Sequence, residues 1–91
     1  MKCVEINVLG VVQGVFFRKY TKETADRLGL SGTVRNQRDG SVQITAYGTD
    51  EKVAQLIDWC HSGSPMSNVE QVLVNECVHE TNLGSGFNIT Y

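Results

Sequence analysis

Val4-Glu5-Ile6-Asn7-Val8-Leu9-Gly10-Val11-Val12-Gln13-Gly14-Val15-Phe16-Phe17-Arg18 joins two kinds of order through a glycine-bearing turn. Val4, Ile6 and Val8 alternate with Glu5 and Asn7, the period-two pattern of a half-buried strand. Beyond Gly14 the period lengthens. Phe17, Tyr20, Thr24 and Leu28 share one face of a helix, and Lys19, Lys22, Glu23, Asp26 and Arg27 lie mostly away from it. Gly29 is placed to end that helix in the left-handed conformation, with Leu30 folding back onto the last turn. The stretch predicts strand, loop, helix.

The same grammar continues outward. A second strand is expected around Thr33-Val34-Arg35, followed by turn chemistry at Arg38-Asp39-Gly40 and a return strand alternating Val42, Ile44 and Ala46. Thr49 can cap a second helix, with Asp50 and Glu51 near its positive end. The apolar stripe of that helix is Val53, Leu56, Ile57 and Cys60, and Ser62-Gly63-Ser64-Pro65 stops it. A fourth strand is expected from about Val69 to Val78, and a short last one over Phe87-Asn88-Ile89-Thr90-Tyr91. This order fits an α+β ferredoxin-like sandwich, βαββαβ, with an antiparallel sheet, two helices on one face and a short C-terminal strand. Residues 1–91 read as a single domain, with no linker, repeat or low-complexity stretch. Such an architecture hosts unrelated functions, so function must be sought in a site.

Composition narrows the classes. Apolar residues make up 41% and charged residues 20%, ordinary for a globular chain. No apolar run approaches the roughly 20 residues that span a bilayer, so no membrane partner is expected. Glu5 interrupts the first apolar stretch, which is not a signal-peptide layout, and a cytoplasmic location is expected. Ten acidic against eight basic residues argue against nucleic acid, whose binders carry a basic excess. Cys3, Cys60 and Cys77 form neither a paired-thiolate metal site nor a disulfide framework. They read as small buried residues in a reducing compartment. A bridge from Cys3 to a later cysteine stays open, because its geometry is not in the sequence. No His/Cys/carboxylate cluster has metal-ligand spacing, so neither metal nor cofactor is expected; His61 and His79 read as solvated or packed. Trp59 reads as helix packing.

The loop itself offers chemistry. Gly10 and Gly14 let the backbone curl so that successive N–H groups face one concavity. The loop runs into a helix N-terminus, which favours an anion. Arg18 closes it with a planar fork suited to two phosphate oxygens. An ordinary connection with a surface arginine would show the same residues, and no Gly-Lys-Ser/Thr ending makes it a nucleotide loop.

Gly10-Val11-Val12-Gln13-Gly14-Val15-Phe16-Phe17-Arg18 resembles the acylphosphatase pattern G-x-V-Q-G-V-x-F/Y-R. Gly32-Thr33-Val34-Arg35-Asn36 resembles that family's second pattern, G-x-V-x-N, and the likeness continues through Gly63-Ser64-Pro65 to the terminal Phe87–Tyr91 stretch. The resemblance, to the small single-domain bacterial type, covers essentially the whole chain. It implies a ferredoxin-like fold and metal-independent hydrolysis of acyl phosphates to a carboxylate and inorganic phosphate. It further implies that the backbone amides of Gln13, Gly14, Val15, Phe16, Phe17 and Arg18 bind the phosphoryl oxygens, with the Arg18 side chain completing the grip. Asn36 would orient the attacking water; an Asn that merely helps the following turn is the plainer alternative. Inorganic phosphate would be product and competitive inhibitor, and the chain a monomer.

One absence sharpens the chemistry. Between Gly10 and Phe17 there is no Cys, Ser, Thr, Asp or His to attack phosphorus, so direct attack by water is expected. Two rivals stand beside this expectation. One is a non-catalytic domain of the same type that only holds a phosphorylated intermediate. The other is a ferredoxin-like module for RNA or a regulatory ligand, which would want exposed aromatics on adjacent strands and basic surroundings.

Overall fold

A computed structural model describes residues 1–77 and 86–90. The alternation around Val4 belongs to β1 (Lys2–Val11), followed by α1 (Phe17–Leu28), β2 (Ser31–Asn36), β3 (Val42–Gly48), α2 (Asp50–Ser62), β4 (Asn68–Glu76) and β5 (Phe87–Ile89). The sheet order is β4-β1-β3-β2-β5. β1 pairs antiparallel with both β3 and β4, and β2 pairs antiparallel with β3. The expected antiparallel sheet is thus extended to a mixed one, since β5 runs parallel to β2, pairing Gly32 with Phe87 and Val34 with Ile89. The expected extension of the fourth strand to Val78, and His79 and Tyr91, lie outside the described residues.

Register puts the apolar residues of the strands opposite one another. Val4 faces Ala46, Ile6 faces Ile44 and Val8 faces Val42, while Val34 meets Ile44 from the other side. All are fully buried, and they form one cluster with Val53, Leu56 and Cys60 of α2. α1 lies over β2 and β5, and α2 over β1, β3 and β4. The two helices meet where Phe17 packs against Trp59, with ring centroids 5.2 Å apart. Trp59 is therefore half-buried packing, as its place in the sequence suggested.

The buried face of α1 differs from the expected one. Phe17, Thr21, Thr24 and Ala25 are buried, whereas Tyr20 is exposed and Leu28 only half-buried. Small residues allow the helix to sit close to the sheet. Their hydroxyls are satisfied within the helix: Thr21 Oγ1 donates to the Phe17 carbonyl (2.8 Å) and Thr24 Oγ1 to that of Tyr20 (2.8 Å).

The cysteine expectation is corrected in part. Cys3 and Cys77 form a disulfide, with Cα atoms 5.2 Å apart. The cause is register: β1 and β4 pair Val4 with Glu76, and one step further outward sets Cys3 across from Cys77. Only Cys60 is a free buried thiol, and burial pushes its pKa up to about 12.

Candidate active site

Two devices shape the loop between β1 and α1. At its entry, the β1–β4 register slips between Leu9 and Gly10, a bulge with Glu70 of β4 as the extra residue, and β1 stays paired through Val11 before the loop begins. Gly10 has φ 128°, and a Cβ there would run into the Asn68 carbonyl, so no other residue fits. At its exit, Phe16 takes the N-cap position of α1 in the left-handed region (φ 61°, ψ 23°) and gives the helix no side-chain cap.

The two helix starts differ in a way that electrostatics explains. α2 begins conventionally: Thr49 Oγ1 accepts from Lys52 N–H (3.3 Å), and Asp50 and Glu51 occupy the first turn. The first turn of α1 holds no acidic residue, and Arg18 and Lys19 stand there instead. Cations at the positive end of a helix cost stability, as do amides left uncapped. Both become favourable when an anion sits at that end.

That end opens into a cavity of about 310 Å³. Gly14, Phe16, Phe17, Arg18 and Lys19 line it from the loop and first turn, together with Val12 at the loop's start. Asn36, the last residue of β2, and Ile89 of β5 line it from the sheet. The Asn36 Oδ1 is buried with no hydrogen-bond partner among the described residues. A buried acceptor left without a partner costs about 1–3 kcal/mol, and it lies here on the cavity that the uncapped start of α1 lines.

Of the residues singled out by sequence, Gly14, Phe16, Phe17, Arg18 and Asn36 are brought together around this cavity. Gln13 and Val15 are not among its lining residues. The Gln13 side chain reaches across instead, its Nε2 donating to the carbonyls of Gln37 (2.7 Å) and Ser41 (2.9 Å). It ties the loop to the β2–β3 turn that immediately follows Asn36. Val15 is pinned from the other side: Ser64 Oγ, buried after α2, donates to the Val15 carbonyl (2.8 Å). That bond engages a carbonyl which would repel an anion if it faced the concavity.

The turn is stiffened in its own right. Asp39 Oδ1 accepts from the Ser41 hydroxyl (2.6 Å) and the Ser41 N–H (2.9 Å), which hold its carboxyl below the usual range. Gln37 Nε2 donates to Asn7 Oδ1 (2.9 Å), anchoring the turn to β1. His61 is exposed at the end of α2, away from the cavity-lining set. No group of three His, Cys, Asp or Glu among the described residues could hold a metal ion.

A family model described as Acylphosphatase matches residues 4–89, nearly the whole chain. The chain belongs to the acylphosphatase family. A protein named Acylphosphatase from Shewanella amazonensis is 53% identical over 76 residues, covering 84% of each chain. One from Thiobacillus denitrificans is 46% identical over 76 residues, covering 84% of this chain and 85% of its own. The crystal structure of acylphosphatase from Bacillus subtilis superposes with a TM-score of 0.94 at 35% identity, covering all of both chains. The acylphosphatase fold is the ferredoxin-like α+β sandwich expected from the sequence, and acylphosphatases are hydrolases of acid anhydrides that cleave acyl phosphates. The substrate is therefore a small-molecule acyl phosphate.

Proposed function

We propose that this acylphosphatase holds the phosphoryl group of its substrate at the uncapped start of α1 and attacks it with a water placed by Asn36. The observation that carries this is the cationic, uncapped first turn of α1 opening into the cavity that Asn36 lines. In the proposal the amides of Gln13 through Arg18 and the Arg18 guanidinium bind the phosphoryl oxygens. These donors are fixed in advance where negative charge has to be held. The Asn36 amide holds the water while staying neutral at any working pH, and its unpartnered Oδ1 supplies an acceptor for a water proton.

The water oxygen bonds to phosphorus as the bond from phosphorus to the acyl oxygen breaks, and the carboxylate leaves with that electron pair. A phosphate oxygen of the substrate accepts the water's proton, giving dihydrogen phosphate. The carboxylate is a weakly basic leaving group and needs little protonation. Such a transfer asks mainly for positioning and charge stabilisation.

The proposal extends to three further points. Residues 1–91 work as one domain without a metal or organic cofactor, and the protein works as a monomer. Exposed β4 carries Glu70 and Glu76 along the sheet edge, which discourages pairing with a second copy. Inorganic phosphate, the product, competes for the same cradle. The compartment proposed is the cytoplasm. There the free Cys60 suits reducing conditions and the Cys3–Cys77 bridge opposes them, so alkylation of thiols in intact cells decides between the two.

The test is hydrolysis of benzoyl phosphate with a chelator present. Chelator-insensitive release, inhibited competitively by inorganic phosphate, is the expected result. Arg18→Ala should lose about a hundredfold or more in kcat/KM, with weakened phosphate inhibition. Asn36→Ala should keep phosphate inhibition and lose kcat. No release by the wild type would leave only a phosphate-holding domain, and normal turnover by Asn36→Ala would remove the water-holding role.

A further inference from the structure

We propose that Phe16 is the acyl-binding platform of this site, and that acyl phosphates with flat aromatic or apolar acyl groups are its preferred substrates. The proposal rests on the placement of the phosphate at the start of α1. Its origin is a conflict between a residue and its position. Phe16 is the one non-glycine residue with positive φ among the described residues, and an L side chain pays a steric cost there. The loop needs a left-handed turn before α1, but glycine supplies one freely, as Gly14 does two residues earlier at φ 75°. Backbone geometry alone would therefore select glycine at position 16.

Packing does not account for the phenylalanine either. Its side chain is not part of the hydrophobic cluster, and the residue is 67% exposed, whereas its neighbour Phe17 is 1% exposed and packed against Trp59. An exposed large apolar side chain on a strained backbone is unfavourable twice over. What Phe16 does have is a place on the cavity, with Ile89 and Val12 as further apolar lining. Arg18 and the helix amides take the phosphoryl half of the substrate. The apolar lining is what remains for the acyl half, and a π-face suits a flat aromatic or carbonyl-conjugated group. Lys19 lines the same cavity and sets up the competing outcome, an acyl group carrying its own carboxylate.

The experiment compares kcat/KM for benzoyl phosphate and acetyl phosphate in the wild type, Phe16→Gly and Phe16→Asn. Both replacements tolerate the left-handed region. Any damage to the phosphate cradle is common to the two substrates and cancels in their ratio. The benzoyl-to-acetyl ratio is expected to fall about tenfold in both variants, the loss of one aromatic contact. A ratio unchanged within about twofold overturns the proposal. So does a Tm lowered by more than about 5 °C, which would give the ring a packing role. A wild-type preference for succinyl phosphate over benzoyl phosphate also overturns it, moving the acyl contact to Lys19. Failure of the wild type to hydrolyse either compound refutes the hydrolytic site itself, and is recognised without any variant.

Discussion

Replacing both Cys3 and Cys77 by serine should strip the fold of much of its stability while leaving its chemistry alone. The bridge spans a sequence separation of 74 residues. In the chain-entropy account, a cross-link closing a loop of that size restricts the unfolded chain by about 4.5 kcal/mol at 25 °C. Domains of this size unfold with only about 5–15 kcal/mol, so the loss is a large share of the total. The midpoint of thermal unfolding should fall by on the order of 20 °C. The backbone pairing around the bridge survives the substitution, since the Cys77 N–H donates to the Cys3 carbonyl (3.0 Å) whatever the side chains are. Seven residue steps of β1 lead from Cys3 to Gly10, about 23 Å of extended strand, so the loop before α1 lies at the far end from the bridge.

Urea melts of the oxidised wild type and the double variant measure the first quantity, and kcat/KM on benzoyl phosphate at low temperature measures the second. The expected pattern is a loss of several kcal/mol with activity within about twofold. Thiol titration in urea without reductant should find one reactive cysteine per wild-type chain, Cys60. A stability loss below about 1 kcal/mol would refute the entropic reasoning. Three titrating thiols would refute the bridge. Loss of activity in a variant that remains folded would refute the separation of bridge and site.

Three shorter expectations concern the loop and the core. Ser64→Ala should raise the inhibition constant for inorganic phosphate by about fivefold or more, since the Val15 carbonyl loses its donor; Ser64→Thr, which keeps the hydroxyl, should restore part of it. Gln13→Ala should lower kcat more than it weakens phosphate inhibition, because it cuts the two bonds to the turn beside Asn36; equal effects on both would show that Gln13 acts only on the cradle. Cys60 has a raised pKa in the fold, so the unfolded chain loses that proton first as pH rises. The stability it confers is complete below pH 9.0 and is lost as pH rises from there toward about 12. Between pH 9 and 11 the wild type should lose roughly 1 kcal/mol per pH unit relative to Cys60→Ala, measured by urea melts; parallel curves for the two proteins would remove the thiol from the account.

β1 and β3 were legible because one face of each is fully buried, and Val4-Ile6-Val8 or Val42-Ile44-Ala46 allow only one alternation. α1 was less so. Its buried face after Phe17 is Thr21, Thr24 and Ala25, residues too small or too polar to mark an apolar stripe, while Tyr20 carries the hydrophobic signal outward. The parallel pairing of β5 is decided by three residues meeting β2, too few for any period to be read. The disulfide follows only from the β1–β4 register, a tertiary quantity that cysteine spacing does not contain.

The site divides along the same line. Arg18, Asn36 and the glycine loop stood out because their motif is local in sequence. The Gln13 side chain and Ser64 act through carbonyls 24 to 49 residues away, so no local pattern exposes them. Yet these are the contacts that make the loop a fixed object. Beyond Val11 the loop, with positive φ at Gly14 and Phe16, has no strand pairing to hold it. Ser64 binds it from the end of α2, Gln13 binds it to the β2–β3 turn, and Gln37 binds that turn to β1. The glycines give the backbone freedom to form a cradle, and the distant polar contacts remove that freedom in the folded state. Preorganisation here is a property of three separate chain segments, which is why the motif that reveals the site does not reveal what keeps it in shape.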